Sequence, residues 1–189
     1  MKQLTALTIA VVMLFAVTFA NAAEKLQSGL QKGAGIGPFY VTKCAGADKD
    51  GVAIGKNLCY RCKNGRRPQV MVFTRSSDPK VIALIKGLDK ALTANSDSEL
   101  RAFVNVLGES KDEATNAAKA LAKSTAAKNI PFVVPNENEN GPDDYGLNSK
   151  AEVTIIIASN SKVRSNVAVG KASKLNVDEV IKKVTAALK

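Results

Sequence analysis

The chain has 189 residues, with 27 lysines and arginines, 17 aspartates and glutamates, and no histidine. A hydrophobic fraction of 46% is enough for a folded core. The lack of histidine excludes Ser-His-Asp and Cys-His catalysis and every histidine-ligated metal site. The formal net charge is +10, but the basic residues are dispersed, so we expect a solvated basic surface and no nucleic-acid partner.

The first residues have the pattern of a secretory signal peptide, predicted at 1–22. Lys2 precedes an apolar stretch over residues 4–19, and an A-x-A ending closes at Ala22. The apolar stretch is too short and too rich in small residues to favour a membrane span, although an uncleaved anchor is the alternative. We therefore expect export to the periplasm or the cell exterior, and no stable membrane span after the leader is removed.

One domain is predicted at 37–189 after an N-terminal segment at 23–36, because no long linker divides the chain. Its first strand is predicted at 37–43, followed by a loop rich in glycine and aspartate at 45–58. Residues 68–75 contain a nearly continuous apolar run, which is typical of a buried central strand.

The second half of the chain alternates helices and strands. Asp78 and Pro79 indicate a helix start. A strand at 100–108 precedes a second helix, which opens with the capping-box pair Ser110 and Glu113. The remaining elements are a strand, a hairpin with a three-residue connection and a last helix, predicted at 130–135, at 152–158 and 162–170, and from about residue 176. This order predicts an α/β fold, a central mixed sheet with helices on both faces.

Cys59 and Cys62 form a CxxC motif, in a predicted turn before the central strand. A pair that opens and closes would exchange electrons or disulfides, which makes both residues catalytic candidates. A static disulfide between them, or a longer one from Cys44 to either, is the structural alternative. Zinc would need a ligand beyond the three cysteines. Covalent haem would need C-x-x-C-H, but Lys63 is the fifth residue here. We expect no metal and no cofactor.

Four cations are close to these sulfurs in sequence: Arg61, Lys63, Arg66 and Arg67. Because nearby positive charge lowers the pKa of a thiol, we expect them to stabilise a thiolate of the motif. Tyr60, between the cysteines, would shape access. Cys44 is either a resolving thiol for the pair or a small buried hydrophobe.

Three passages of the chain, in this order, carry a resemblance to a known family. They read RPQVMVFTR at 67–75, IPFVVPNENENGPDDYGL at 130–147 and VTIIIASNSKV at 153–163. The region 68–189 resembles the thioredoxin-like superfamily, and most closely its peroxiredoxin-like group (alkyl hydroperoxide reductase/thiol-specific antioxidant). The resemblance implies a thioredoxin-like fold, whose CxxC is displaced in this chain.

The chain departs from that family at two positions. Peroxiredoxins carry a thiol, and thioredoxins their CxxC, at the helix start after the central strand, where this chain reads TRSSDPK at 74–80. Conventional peroxiredoxin activity is therefore not expected. The family's cis-proline falls at Val153, and the threonine after it is kept as Thr154. A cis bond without proline costs about 3–4 kcal/mol, so we expect a trans bond there.

The motif and the resemblance together imply an exported thiol-disulfide oxidoreductase or antioxidant protein, with protein thiols or disulfides as partners. The alternative is a non-catalytic thioredoxin-fold binding or scaffold module, in which the disulfide is structural. The intact CxxC with its basic surroundings favours the first interpretation. The missing helix-start cysteine and the valine at position 153 favour the second.

Overall fold

The computed structural model describes residues 26–188, so the expected signal peptide at 1–22 lies outside the described residues. Seven strands form one mixed sheet: β1 Val41–Ala45, β2 Asn57–Leu58, β3 Gln69–Thr74, β4 Arg101–Val106, β5 Phe132–Pro135, β6 Val153–Ser159 and β7 Lys162–Val169. The α-helices of this region are α1 Tyr60–Asn64, α2 Pro79–Ala94, α3 Lys111–Thr125 and α4 Val177–Ala186. None of them has the length and apolar character needed to cross a membrane.

β3 is an inner strand next to the middle strand, β4, and the order across the sheet is β2-β1-β5-β4-β3-β6-β7. β3 pairs in parallel with β4 and antiparallel with β6. All of its residues are buried, as the apolar run predicts for a strand with neighbours on both sides.

The two faces of the sheet carry separate apolar clusters. Val70 and Val72 of β3 belong to the cluster covered by α2, α3 and α4, whereas Met71 and Phe73 belong to the cluster that includes Tyr60 of α1. From β3 through β4 to β5 the chain steps twice in one direction, so right-handed crossovers place α2 and α3 on the same face. Helices on both faces are thus confirmed, with the short α1 on the second face.

Side-chain caps fix the starts of the three long helices, and the sequence predicts the first two of these caps, at Asp78 and Ser110. The Asp78 side chain accepts a hydrogen bond from the Lys80 N–H at the start of α2. Ser110 and Asn176 accept from the amides three residues on, at the starts of α3 and α4. Each cap satisfies a backbone donor that the first helical turn leaves without a partner.

The predicted first strand and hairpin differ in detail from the structure. β1 begins at Val41 rather than at residue 37. Pro38, three residues before Val41, has no N–H to donate to a neighbouring strand. The loop predicted at 45–58 ends in β2, which pairs with β1. The hairpin connection has two residues instead of three, because Ser159 still pairs with Lys162. The two turn residues have φ of +54° and +61°, as a type I′ turn requires.

A glycine pair tests how closely the loop after β1 packs on the sheet. Gly46 has φ of +74°, and a Cβ there would collide with the Ile130 carbonyl oxygen. Gly55 has φ of +85° but faces open space. Gly46→Ala should lower the free energy of unfolding by about 3 kcal/mol, and Gly55→Ala by about 1 kcal/mol. Urea denaturation measures both, and equal losses would contradict the close approach.

Candidate functional site

Cys59 and Cys62 are joined by a disulfide bond, with Cα atoms 5.2 Å apart. Cys44 is a buried free thiol. Of the pairings that the sequence left open, the structure therefore contains the short one within the CxxC motif.

The disulfide spans the first turn of α1, a five-residue helix in place of the predicted turn. Cys59 is the N-cap residue, and its Sγ accepts a hydrogen bond from the Cys62 N–H at 3.0 Å. Gly65 ends the helix at φ +61°, and its N–H bonds to the carbonyls of Arg61 and Cys62. The chain then enters β3 at its amino end, whereas α2 follows the carboxyl end.

The two sulfur-bearing residues differ in accessibility. Cys59 is buried, with 8% of its surface exposed, whereas Cys62 is exposed. A thiol from another molecule therefore reaches the disulfide from the Cys62 side. The Cys62 N–H, which already bonds to Cys59 Sγ, would stabilise the thiolate that this attack releases.

A buried network holds α1 against the sheet. Lys43, 1% exposed, donates hydrogen bonds to the Ala47 carbonyl at 3.0 Å, Asp50 Oδ1 at 2.8 Å and the Val52 carbonyl at 2.8 Å. These three acceptors match the three donors of an ammonium group. The Tyr60 hydroxyl in turn donates to Asp50 Oδ2 at 2.5 Å. We call these the Lys43–Asp50–Tyr60 network.

The network sets the charge states of Asp50 and Tyr60. Burial raises the pKa of Asp50, but hydrogen bonds from Lys43, Tyr60 and the Val52 N–H outweigh it and leave the pKa lowered. Burial also raises the pKa of Tyr60, and its bond to the Asp50 carboxylate raises it further. At neutral pH Asp50 is therefore a carboxylate, and Tyr60 is a neutral donor.

From the sequence we expected Tyr60 to shape access to the disulfide. In the structure its side chain instead anchors α1 to the sheet. It is 3% exposed, and its ring stacks on Phe103 of β4 with centroids 5.7 Å apart. Sequence reasoning also missed Lys43 and Asp50, because no local pattern connects them to the motif. A lysine within an apolar strand was the one available signal.

The four neighbouring cations have different surroundings. Arg67 forms an exposed ion pair with Glu99, with Nε and Oε1 3.0 Å apart. Arg61 has a buried Nε without a hydrogen-bond partner among the described residues. Lys63 and Arg66 are exposed. Their stabilisation of a thiolate stays a prediction, because both sulfurs are in the disulfide.

The thioredoxin-like superfamily carries its reactive cysteines at the start of the helix that follows the central strand. In this chain that helix is α2, and its start carries other residues. No thiol lies at 74–80, and the Ser76 Oγ accepts a hydrogen bond from the Asp78 N–H. At the position of the family's cis-proline, Val153 is fully buried, and the peptide bonds of the described residues are trans. Thr154 Oγ1 lies 2.6 Å from Ser28 Oγ. The chain's own N-terminal segment therefore covers Thr154.

Cys44 packs in the cluster under α3, on the opposite face of the sheet from Tyr60. Its Sγ lies 3.4 Å from the Thr42 carbonyl and 3.9 Å from Thr115 Oγ1. Burial raises the pKa of this thiol, which lowers its thiolate fraction. These surroundings match the buried-hydrophobe interpretation and lend no support to a resolving role. Within residues 26–188 no group of three or more cysteine or acidic side chains is placed to hold a metal ion.

Comparison with solved structures shows a thioredoxin-like fold. The chain is similar to a proposed thiol:disulfide interchange protein DsbE from Chlorobium tepidum, at TM-score 0.59 and 16% identity, over 85% of this chain and 99% of that chain. It is similar to AhpC from Mycobacterium tuberculosis, at TM-score 0.60 and 17% identity, over 85% and 99%. A proposed protein disulfide isomerase from Bacteroides thetaiotaomicron gives TM-score 0.58 and 14% identity, over 85% and 92%.

At identities of 14–17%, structural similarity establishes the fold alone. It confirms the thioredoxin-like fold that the sequence resemblance implied. No protein-family model matches the chain, and no curated protein matches it either.

The Lys43–Asp50–Tyr60 network predicts an acid-dependent loss of stability. Because the folded-state pKa of Asp50 lies below the ordinary value of about 3.9, its contribution is complete above about pH 5 and is lost as pH falls through the folded-state pKa. Asp50→Asn should therefore cost about 1–3 kcal/mol at pH 7 and less at pH 3. Urea denaturation at both pH values measures this.

The exposed Asp48, two residues away, provides the matched control. Asp48→Asn should change the unfolding free energy by less than about 0.5 kcal/mol at either pH. An equal effect of the two substitutions at pH 7 would contradict the role assigned to Asp50.

Proposed function

We propose that the protein is an exported thiol-disulfide oxidoreductase that exchanges disulfides with protein thiols through Cys59 and Cys62. The observation that carries this proposal is the disulfide in the first turn of α1, with Cys62 exposed and Cys59 buried. Two proteins of similar fold are named for thiol:disulfide interchange and for disulfide isomerisation, which supports the same chemistry. The leader pattern at 1–22 supports export.

The exchange begins at the exposed sulfur. A thiolate of the partner attacks Cys62 Sγ, forms a mixed disulfide with it and displaces Cys59 as a thiolate. A second thiolate of the partner then attacks the partner's own sulfur in the mixed disulfide and releases the Cys62 thiolate. The partner loses two electrons and gains a disulfide, the CxxC pair becomes a dithiol, and the reverse sequence reduces a partner.

The alternative is a non-catalytic binding or scaffold module, and a specific observation favours it. The position equivalent to the family's substrate-docking proline is valine, and Ser28 covers the threonine beside it. In that case the disulfide is structural and stabilises the short helix α1. A reactive pair is easily reduced, whereas a structural disulfide resists reduction, so the two functions differ in a measurable quantity.

The reduction potential separates the two functions. Thiol trapping of the purified protein in glutathione buffers should give a couple between about −270 and −120 mV, as in known dithiol enzymes. Cys44→Ser should leave the potential unchanged, because Cys44 is outside the disulfide. A potential well below about −300 mV would identify a structural disulfide and contradict the oxidoreductase.

The two sulfurs should also differ in reactivity. In a Cys44→Ser background, Cys59→Ser leaves the thiol of Cys62, and Cys62→Ser leaves that of Cys59. We expect the Cys62 thiol to react with a small aromatic disulfide at least about ten-fold faster, because access contributes to exchange rates. Stopped-flow absorbance measures both rates. Equal rates, or a faster Cys59, would contradict the assignment of Cys62 as the attacked sulfur.

A further inference from the structure

An open cleft of about 840 Å³ lies beside α1 and is lined by basic, uncharged polar and apolar side chains. α1 contributes Tyr60, Lys63 and Asn64 to its wall. The five cations that line it are Lys49, Lys63, Arg67, Arg101 and Lys128. We call this the basic cleft.

The positive charge of the basic cleft is largely uncompensated. Its lining carboxylate, Asp50, is already bonded to Lys43 and Tyr60. Glu99 pairs with two of the cations, Arg67 and Arg101. The other three cations form no ion pair with any of the described residues; they are Lys49, Lys63 and Lys128. Several cations in one concave surface attract a ligand of opposite charge.

The remaining lining is partly polar and has no free aromatic face. Amide and hydroxyl groups come from Asn64, Thr93, Ser96 and Asn129, whereas the aliphatic residues Leu92, Leu100, Ala102 and Pro131 are buried and expose little apolar surface. The Tyr60 ring is buried on Phe103, and its hydroxyl is bonded to Asp50, so it does not offer a face for base stacking. Single-stranded nucleic acid is bound through a long basic track with exposed aromatic rings. A short basic cleft that also offers amide and hydroxyl groups suits a peptide better, because these groups can hydrogen-bond to a peptide backbone.

We propose that the basic cleft binds an acidic segment of a polypeptide partner. Carboxylates of the segment meet the lysines, and its backbone meets the amide and hydroxyl groups that line the cleft. Because Lys63 follows the exposed Cys62 on α1, the bound segment lies against the helix that carries the disulfide. The binding itself requires only the oxidised fold and is independent of disulfide exchange.

Fluorescence anisotropy with a fluorescein-labelled peptide of alternating glutamate and leucine tests the proposal. The double variant Lys49→Glu/Lys128→Glu should weaken binding about ten-fold or more, because two attractive contacts become repulsive. The control Lys86→Glu/Lys182→Glu makes the same charge change at exposed residues outside the cleft and should bind like the wild type. Raising the salt to about 0.5 M should weaken wild-type binding.

Three results would overturn the proposal. Equal weakening in both double variants would show that net charge alone attracts the peptide. Tighter binding of a single-stranded oligonucleotide of equal charge, lost in Lys49→Glu/Lys128→Glu, would make the cleft a nucleic-acid site. Displacement of the peptide by an equal concentration of inorganic phosphate would make it a small-anion site.

Two control measurements separate peptide binding from loss of folding and from disulfide exchange. Urea denaturation should give the same midpoint for both double variants, because all four lysines are exposed. Peptide binding to the oxidised wild type is measured without any thiol partner, so it is independent of the redox test. A structural disulfide with intact peptide binding would refute the oxidoreductase alone, whereas a redox-active disulfide without peptide binding would refute the cleft alone.

Discussion

The geometry of the site depends on the burial of the Lys43 ammonium. A charged group inside a protein is unfavourable unless hydrogen bonds replace its water, and Lys43 finds its acceptors in the loop that follows its own strand. One of them, Asp50, extends the network to Tyr60 and hence to α1. Removing the Asp50 carboxylate therefore costs about 1–3 kcal/mol, because the buried Lys43 ammonium loses its counter-charge. The network therefore makes strand, loop and helix one unit.

This anchoring decides how the disulfide is presented. With Tyr60 facing the sheet, α1 directs Cys59 inward and leaves Cys62 exposed. The family that the sequence resembles uses the carboxyl end of the central strand. This chain has no thiol there, and Ser28 covers the neighbouring Thr154. The disulfide of this chain lies instead in α1, before the amino end of β3 and next to the basic cleft.

The fold and most local features could be predicted, from the order of the elements, the resemblance and short sequence patterns, whereas individual long-range side-chain contacts could not. The apolar run of β3 and the caps Asp78 and Ser110 are encoded within a few residues, and they are present as expected. The helix α1 is too short to show a helical period. The Lys43–Asp50–Tyr60 network joins residues from a strand, a loop and a helix. Likewise, sequence spacing left the choice among three cysteines open, and only the three-dimensional arrangement decides it.

The most direct test of the central claim is the catalysed reduction of insulin disulfides by dithiothreitol, followed as turbidity. If the CxxC pair of α1 exchanges disulfides, the wild type and Cys44→Ser will accelerate the reaction, whereas Cys62→Ser will match the uncatalysed rate. Wild-type protein that gives no acceleration, or a Cys62→Ser variant that retains it, would contradict the account and leave the disulfide as a structural feature of a thioredoxin-like fold.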